Sequence, residues 1–346
     1  TDAEWAAADD AMALLDGVIP YAMATGNHDM GSQQNLYSRN TAPFDRTFPK
    51  SRFMAMGTSP ESLSATSMAN SHHRFEAGGI RWLVLVLEYG PRDSVLTWAK
   101  GVVDAHPDHQ VIVLTHTYLY ADSTLHGSKA SHRWVPSQKY PGGANDGVDM
   151  WQKLVRKSSN IAMVLNGHVG EGGAGRLVSR ADDGHSVYQM LANFQEIQPS
   201  GGDGWLRLLT FDPGKRTLQV RTYSPHLAMW DRTPTQEFTY WDFEPLRPLD
   251  GTPPGILGAQ WTSDTTLEVT FDERIDLDDA GDATNYSVTG CDIEAAIPQP
   301  NGRVVDLTVA VPPSAGRASL TVDGIADSSP AKNPMTKPYK ISIEDR

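Results

Sequence analysis

Five residues carry the chemistry this sequence offers: Asn27, His28, Asp29, His116 and His168. The first three follow Gly26 directly. His116 follows Thr115, and His168 follows Asn166-Gly167. Imidazole nitrogens with amide or carboxylate oxygens form a donor set for a hard or borderline divalent metal. One such histidine is ordinary. Three that each close an apolar run are hard to explain as packing.

The elements that must position them can be read from the same stretches. Residues 18–24, 111–114 and 161–165 are apolar runs of strand length. Each predicts a strand that delivers a His, or an Asn-His pair, at its carboxyl end. Open α/β sheets bind ligands at that edge. Asn27, His116 and His168 are therefore expected to converge within a few ångströms there, with His28 facing the same cleft.

Gly26-Asn27-His28-Asp29, Thr115-His116 and Gly167-His168, in this order, resemble the motifs of the calcineurin-like metallophosphoesterases. The resemblance covers roughly the first two thirds of the chain. It implies a four-layer αββα sandwich. It also implies that Asn27, His116 and His168 are ligands of one divalent metal, which could be Zn, Mn, Fe or Ni. His28 would sit over the substrate phosphate and protonate the leaving group. Asp29 would orient that imidazole and raise its pKa. The implied reaction is hydrolysis of small phosphomonoesters or phosphodiesters by metal-bound hydroxide.

Two departures qualify what the resemblance implies. The family's opening Asp-x-His and Gly-Asp-x-x motifs lie upstream of Gly-Asn-His, yet only 25 residues precede Gly26 and neither motif is among them. The family's Gly-His-x-His reads Gly167-His168-Val169-Gly170 here, without the last His. The second metal of the family thus has no matched ligand, and at most one ion is expected. Glu171 could supply an oxygen in place of the missing His, or it could be an exposed acid in a Gly-rich turn. An incomplete sheet has unpaired edges, which predicts self-association through the gap or membership of a longer polypeptide. Two other functions stay open. One is a catalytically degenerate scaffold used for binding or surface attachment. The other is a hydrolase with altered single-metal chemistry.

Composition narrows the partners. The chain has 346 residues, a formal net charge of −13, 39% hydrophobic and 21% charged residues. There is no Lys/Arg cluster, which argues against nucleic-acid binding. No apolar stretch approaches the length of a membrane span. Cys291 is the only cysteine, so it has no intrachain partner and is expected to pack as a small apolar residue.

The organisation predicted is an α/β domain over 1–244, a Pro-rich linker over 245–254 and an all-β domain over 255–346. Trp5, Ala8, Met12 and Leu15 predict an amphipathic helix over 2–16, with Thr1 and Glu4 at capping-box spacing. Strand–helix alternation continues to about residue 165, and strands alone follow Gly175. Residues 30–79 and 117–145 read as long irregular connections. In the last domain, period-two alternation at 266–271, 304–309 and 319–322 predicts a β-sandwich. Pieces such as 269–273, 283–288 and 322–327 resemble bacterial Ig-like repeats, which implies a secreted or cell-surface bacterial protein. His72 and His73 read as a polar strand edge, and His185 as part of a solvated hairpin turn. His126 and His132 lie in a loop expected to overhang the site, where they would either contact substrate or support the loop.

Overall fold

The computed structural model describes residues 1–31, 38–140, 143–170, 172–197, 201–241, 243, 253–310, 318–328 and 332–343. It is a mixed α/β chain, mostly sheet, and divides into two compact units. One comprises Thr1–Ser179 and Ser186–Leu246, the other Arg180–His185 and Arg247–Arg346. The main division, between Leu246 and Arg247, falls within the Pro-rich stretch. Most of that stretch, and Glu171, lie outside the described residues.

The first unit begins with α1 (Asp2–Ala13), closed by the expected Thr1/Glu4 capping box. The short α2 (Ala42–Thr47) and α3 (Lys50–Met54) follow. Phe44, Phe48, Phe53 and Met68 form a cluster there, and Trp5, Ala8 and Met12 of α1 pack against it. The expected irregular stretch 30–79 thus contains two helices and also β1 (Glu61–Ser62) and β2 (Ser71–Ala77). Then come β3 (Ile80–Leu87), α4 (Asp93–Ala105) and β4 (Gln110–Thr115). After the loop with α5 (Pro136–Lys139) come α6 (Gly147–Lys153), β5 (Ile161–Asn166), β6 (Ala174–Arg180) and β7 (Ser186–Ala192). The strands form a seven-stranded sheet in the order β1-β2-β3-β4-β5-β7-β6. Its centre is parallel, with β4 between β3 and β5. Apolar residues on both faces explain why these central strands read as unbroken hydrophobic runs.

A second sheet contains β8 (Leu206–Asp212), β9 (Thr217–Ser224), β10 (Met229–Asp231) and β11 (Phe238–Tyr240). Ile80, Trp82 and Val84 of β3 meet Leu218 and Val220 of β9 in a shared core. Alternation sends the neighbouring β3 residues to the opposite face. Leu85 pairs with His72 there, and His72 lies against Trp98 of α4 and His106 just past its end. The layers are therefore helix, sheet, sheet. The fourth layer of the expected αββα sandwich is not seen: Leu206, Leu208 and Trp230 on the second sheet are exposed, and among the described residues no helix covers them.

A second correction concerns residues 18–24. Their β-forming composition predicts a strand, but they join no ladder among the described residues. A strand needs a partner as well as propensity. Instead, Tyr21 and Met23 pack on the phenylalanine cluster, while Val18 is 78% exposed. Side-chain packing, not backbone pairing, brings this segment to Gly26.

His72 and His73 sit in β2 as expected, but deep rather than at a wet edge. Both are buried, and on opposite faces: His73 meets Phe53 where His72 meets Trp98. Burial pushes each down to about 4 from 6.5, so both are neutral in the fold. The unfolded chain takes up these protons below pH 6.5 while the native state does not. Stability is therefore complete above about 6.5 and falls as the pH drops towards 4, by up to about 1.4 kcal/mol per pH unit for each imidazole. Without added metal, the melting temperature should be level from pH 8 to 7 and fall steadily below 6. A melting temperature unchanged down to pH 4.5 would show that these rings are not buried neutral.

The second unit is antiparallel. One sheet holds β12 (Ile256–Trp261), β13 (Thr266–Phe271), β15 (Ile293–Pro298) and β16 (Val304–Val309). The other holds β14 (Tyr286–Val288), β17 (Ser319–Val322) and β18 (Tyr339–Ser342). The alternating apolar residues of both sheets, among them Leu267, Val269, Val305, Leu307, Leu320 and Val322, form one core. Cys291 packs against it, as its composition suggested. In the 180–185 segment, His185 pairs with Asp183 within the turn. Among the described residues no helix is long and apolar enough to cross a membrane.

Candidate metal centre

β4 and β5 run parallel, with Leu114 opposite Leu165. Their carboxyl ends are therefore level, and the Gly167 N–H donates to the His116 carbonyl at 3.0 Å to extend the pairing by one step. His168 then turns through φ 70. That left-handed conformation is uncommon for a residue with a Cβ. It brings the ring back towards β4.

Three donor atoms converge. The Nε2 of His116 lies 3.0 Å from Asn27 Oδ1 and 3.0 Å from His168 Nδ1. One ring nitrogen carries either one proton or one lone pair. A single Nε2–H shared between Asn27 Oδ1 and the His168 Nδ1 lone pair makes one three-centre bond; a cation in its place receives a lone pair from each of the three atoms. For metal–ligand bonds of 2.0–2.1 Å, tetrahedral ligands stand about 3.3 Å apart, close to the spacing found. The donor set fits a divalent ion. Among the described residues no group of three or more His, Cys, Asp or Glu is placed to hold one. Here the third donor is an amide, Asn27.

The surroundings keep the rings neutral. Burial, then His168 and His28, push His116 down to about 3. Burial, then His126, push His168 down to about 4. Neutral imidazole is the form that binds metal. Tyr89 packs against both rings, at 5.4 and 5.1 Å between centroids. On the other side lies Gly26. A Cβ there would stand 2.8 Å from Cε1 of His116 and 3.1 Å from its Nε2, so glycine is what lets the imidazole lie flat on the loop.

His28 is exposed beside the pair, close enough for its charge to oppose protonation of both rings. Asp29 departs from its expected role. Its Oδ2 accepts the Gly26 N–H at 2.8 Å, and no hydrogen bond joins it to His28 among the described residues. A carboxylate one residue along the chain reaches back to the loop backbone more readily than to the adjacent ring. Asp29 therefore closes the loop that presents Asn27. Its own pKa is raised by burial, against the opposing effects of the Gly26 N–H and His28.

The loop histidines are supports. Thr117 Oγ1 donates to His126 Nδ1 at 2.7 Å, and His126 Nε2 donates to the Arg133 carbonyl at 2.8 Å. His132 stacks on Tyr120 at 4.1 Å and accepts the Gly127 N–H. Asn166 clamps the same loop through the Leu119 N–H and carbonyl. Beyond the site, Glu88 is buried between Arg39 and Arg92, and Arg39 also binds the carbonyls of Gly90 and Gly143. This network fastens the loops around Tyr89.

Sequence reasoning missed Glu196. Its carboxylate lies where a side chain on residue 170 would project: a Cβ on Gly170 would be 2.1 Å from Cδ and 2.2 and 2.4 Å from the two oxygens. An acid thus stands at the place of the absent histidine. The two positions are far apart in sequence, and no local pattern links them.

No family model matches the chain. An uncharacterized protein of Bacillus subtilis (strain 168), YvnB, is 30% identical over 234 residues, covering 65% of this chain but 16% of that protein. Among solved structures, the N-terminal part of the bacterial S-layer protein SbsC aligns at 17% identity and TM-score 0.24, over 27% of this chain and 24% of its own. A structure of SbsC domains 1–6 gives 17% and 0.24, over 27% of this chain and 14% of its own. Likenesses of that size define no common fold.

Proposed function

We propose that the first unit is a calcineurin-like metallophosphoesterase scaffold that hydrolyses small phosphomonoesters or phosphodiesters with one divalent ion. The observation that carries this reading is the pair of 3.0 Å contacts at His116 Nε2, which gather two imidazole nitrogens and an amide oxygen at the spacing of ligands around one divalent ion. When bound, such an ion supplies Lewis-acid polarisation of a phosphoryl oxygen and acidifies water. The chain supplies the rest. Asn27, His116 and His168 hold the ion, Tyr89 and Gly26 fix the His116 ring, and Asp29 fixes the Gly26–Asn27 turn. His28 is exposed next to them and delivers the proton to the leaving alkoxide. The second unit is read as an Ig-like spacer or attachment module, which goes with a secreted or cell-surface bacterial setting.

One observation favours a second reading, a degenerate scaffold that binds without turnover: residue 170 is glycine, with the Glu196 carboxylate against it. The two readings separate in one experiment. The purified chain, stripped with chelator, is supplied in turn with Zn, Mn, Fe or Ni and assayed on an aryl phosphate and a bis-aryl phosphate. Hydrolysis that returns with metal and stops with chelator supports the enzyme. Metal binding without turnover on either ester supports the binding scaffold.

A further inference from the structure

We propose that Trp134 is a stacking platform that makes the site selective for phosphoesters whose alcohol carries a flat aromatic ring. The inference rests on the phosphoester reading above and adds the substrate class. Trp134 is 45% exposed, and its ring stands nearly perpendicular to that of His168, with centroids 6.4 Å apart and planes at 83°. A half-exposed indole therefore stands directly beside one of the three converging ligands. A ring one ester oxygen away from a phosphoryl group held at His168 lies within reach of it.

The indole is held there, not left there. The Trp134 backbone adopts φ 55, a left-handed conformation that is a genuine outlier for a bulky residue. Such conformations persist only where the surroundings fix them, and they gather at ligand clamps. Two side chains of the site do the fixing. Tyr89 Oη donates to the Trp134 carbonyl at 2.9 Å, and His126 Nε2 donates to the preceding Arg133 carbonyl at 2.8 Å. Tyr89 is also the ring packed against His116 and His168. One tyrosine thus sets both the ligand pair and the indole. Aromatic rings attract other π faces in offset or edge-on arrangements beyond what area burial gives, and indole platforms accept any flat ring because every such ring has a π face.

The test is binding, so it does not depend on turnover. With Mn²⁺ present, phenylphosphonate and cyclohexylphosphonate are titrated calorimetrically into the full chain. The two ligands match in size and differ in the π face. Wild type should bind phenylphosphonate about tenfold tighter than cyclohexylphosphonate, a typical stacking increment. Trp134→Ala should remove that difference, bringing the two phosphonates to equal affinity, and Trp134→Phe should keep most of it. Equal affinities in wild type, or a preference that survives in Trp134→Ala, would overturn the platform while leaving the phosphoester reading intact. If neither phosphonate binds wild type, the phosphoester reading fails, and the platform's substrate class with it.

Discussion

His116→Ala should abolish stoichiometric divalent-metal binding and lower kcat on an aryl phosphate by at least about 10³-fold. The reason is geometric. His116 Nε2 is the shared vertex of both 3.0 Å contacts, so its removal leaves Asn27 and His168 without a common partner. The ion's contribution to transition-state charge stabilisation is several kcal/mol, and each 1.36 kcal/mol is tenfold in rate. His126→Ala is the control. Both of its ring nitrogens are engaged by the loop, so its loss should lower thermal stability and leave metal stoichiometry at its wild-type value. Equal metal binding by His116→Ala and wild type would remove His116 from the site.

The second large effect comes from a residue with no side chain. Gly26 is not in the left-handed region, so alanine is conformationally acceptable there. What it lacks is room. Its Cβ would lie 2.8 Å from Cε1 and 3.0 Å from Nδ1 of His116, and with Tyr89 and His168 flanking the ring it gives way by tilting. Gly26→Ala should therefore tilt the imidazole away from Asn27. Metal affinity should fall about 10–100-fold, the usual cost of disturbing the groups that orient a ligand, and the melting temperature of the metal-free protein should fall as well, since overpacking costs about 1–3 kcal/mol. Calorimetric titration of metal into both proteins measures this, and unchanged affinity would mean that the ring has another resting place.

These two residues show what was legible in the sequence. The strands leading to His116 and His168 are continuous apolar runs, and parallel pairing does place their carboxyl ends level. Asn27 could be read from its motif because the motif is short and contiguous. The roles of Gly26, Asp29 and Glu196 could not. Each depends on what arrives from elsewhere: an imidazole from 116, a backbone turn, and a carboxylate lying against residue 170. Residues 18–24 failed in the opposite sense. Their composition suits a strand, but pairing is a property of two segments, and none lies alongside among the described residues. His72 and His73 read as a polar strand edge and do lie in a strand, whereas their depth depends on Trp98, His106 and Phe53, contributed by other elements.

Anomalous diffraction from crystals of the Mn²⁺- or Zn²⁺-loaded protein tests the central claim most directly. One peak per chain is expected, within about 2.0–2.3 Å of Asn27 Oδ1, His116 Nε2 and His168 Nδ1 together. Two stoichiometric peaks, or a single peak elsewhere with these three atoms still 3.0 Å apart around His116, would contradict it.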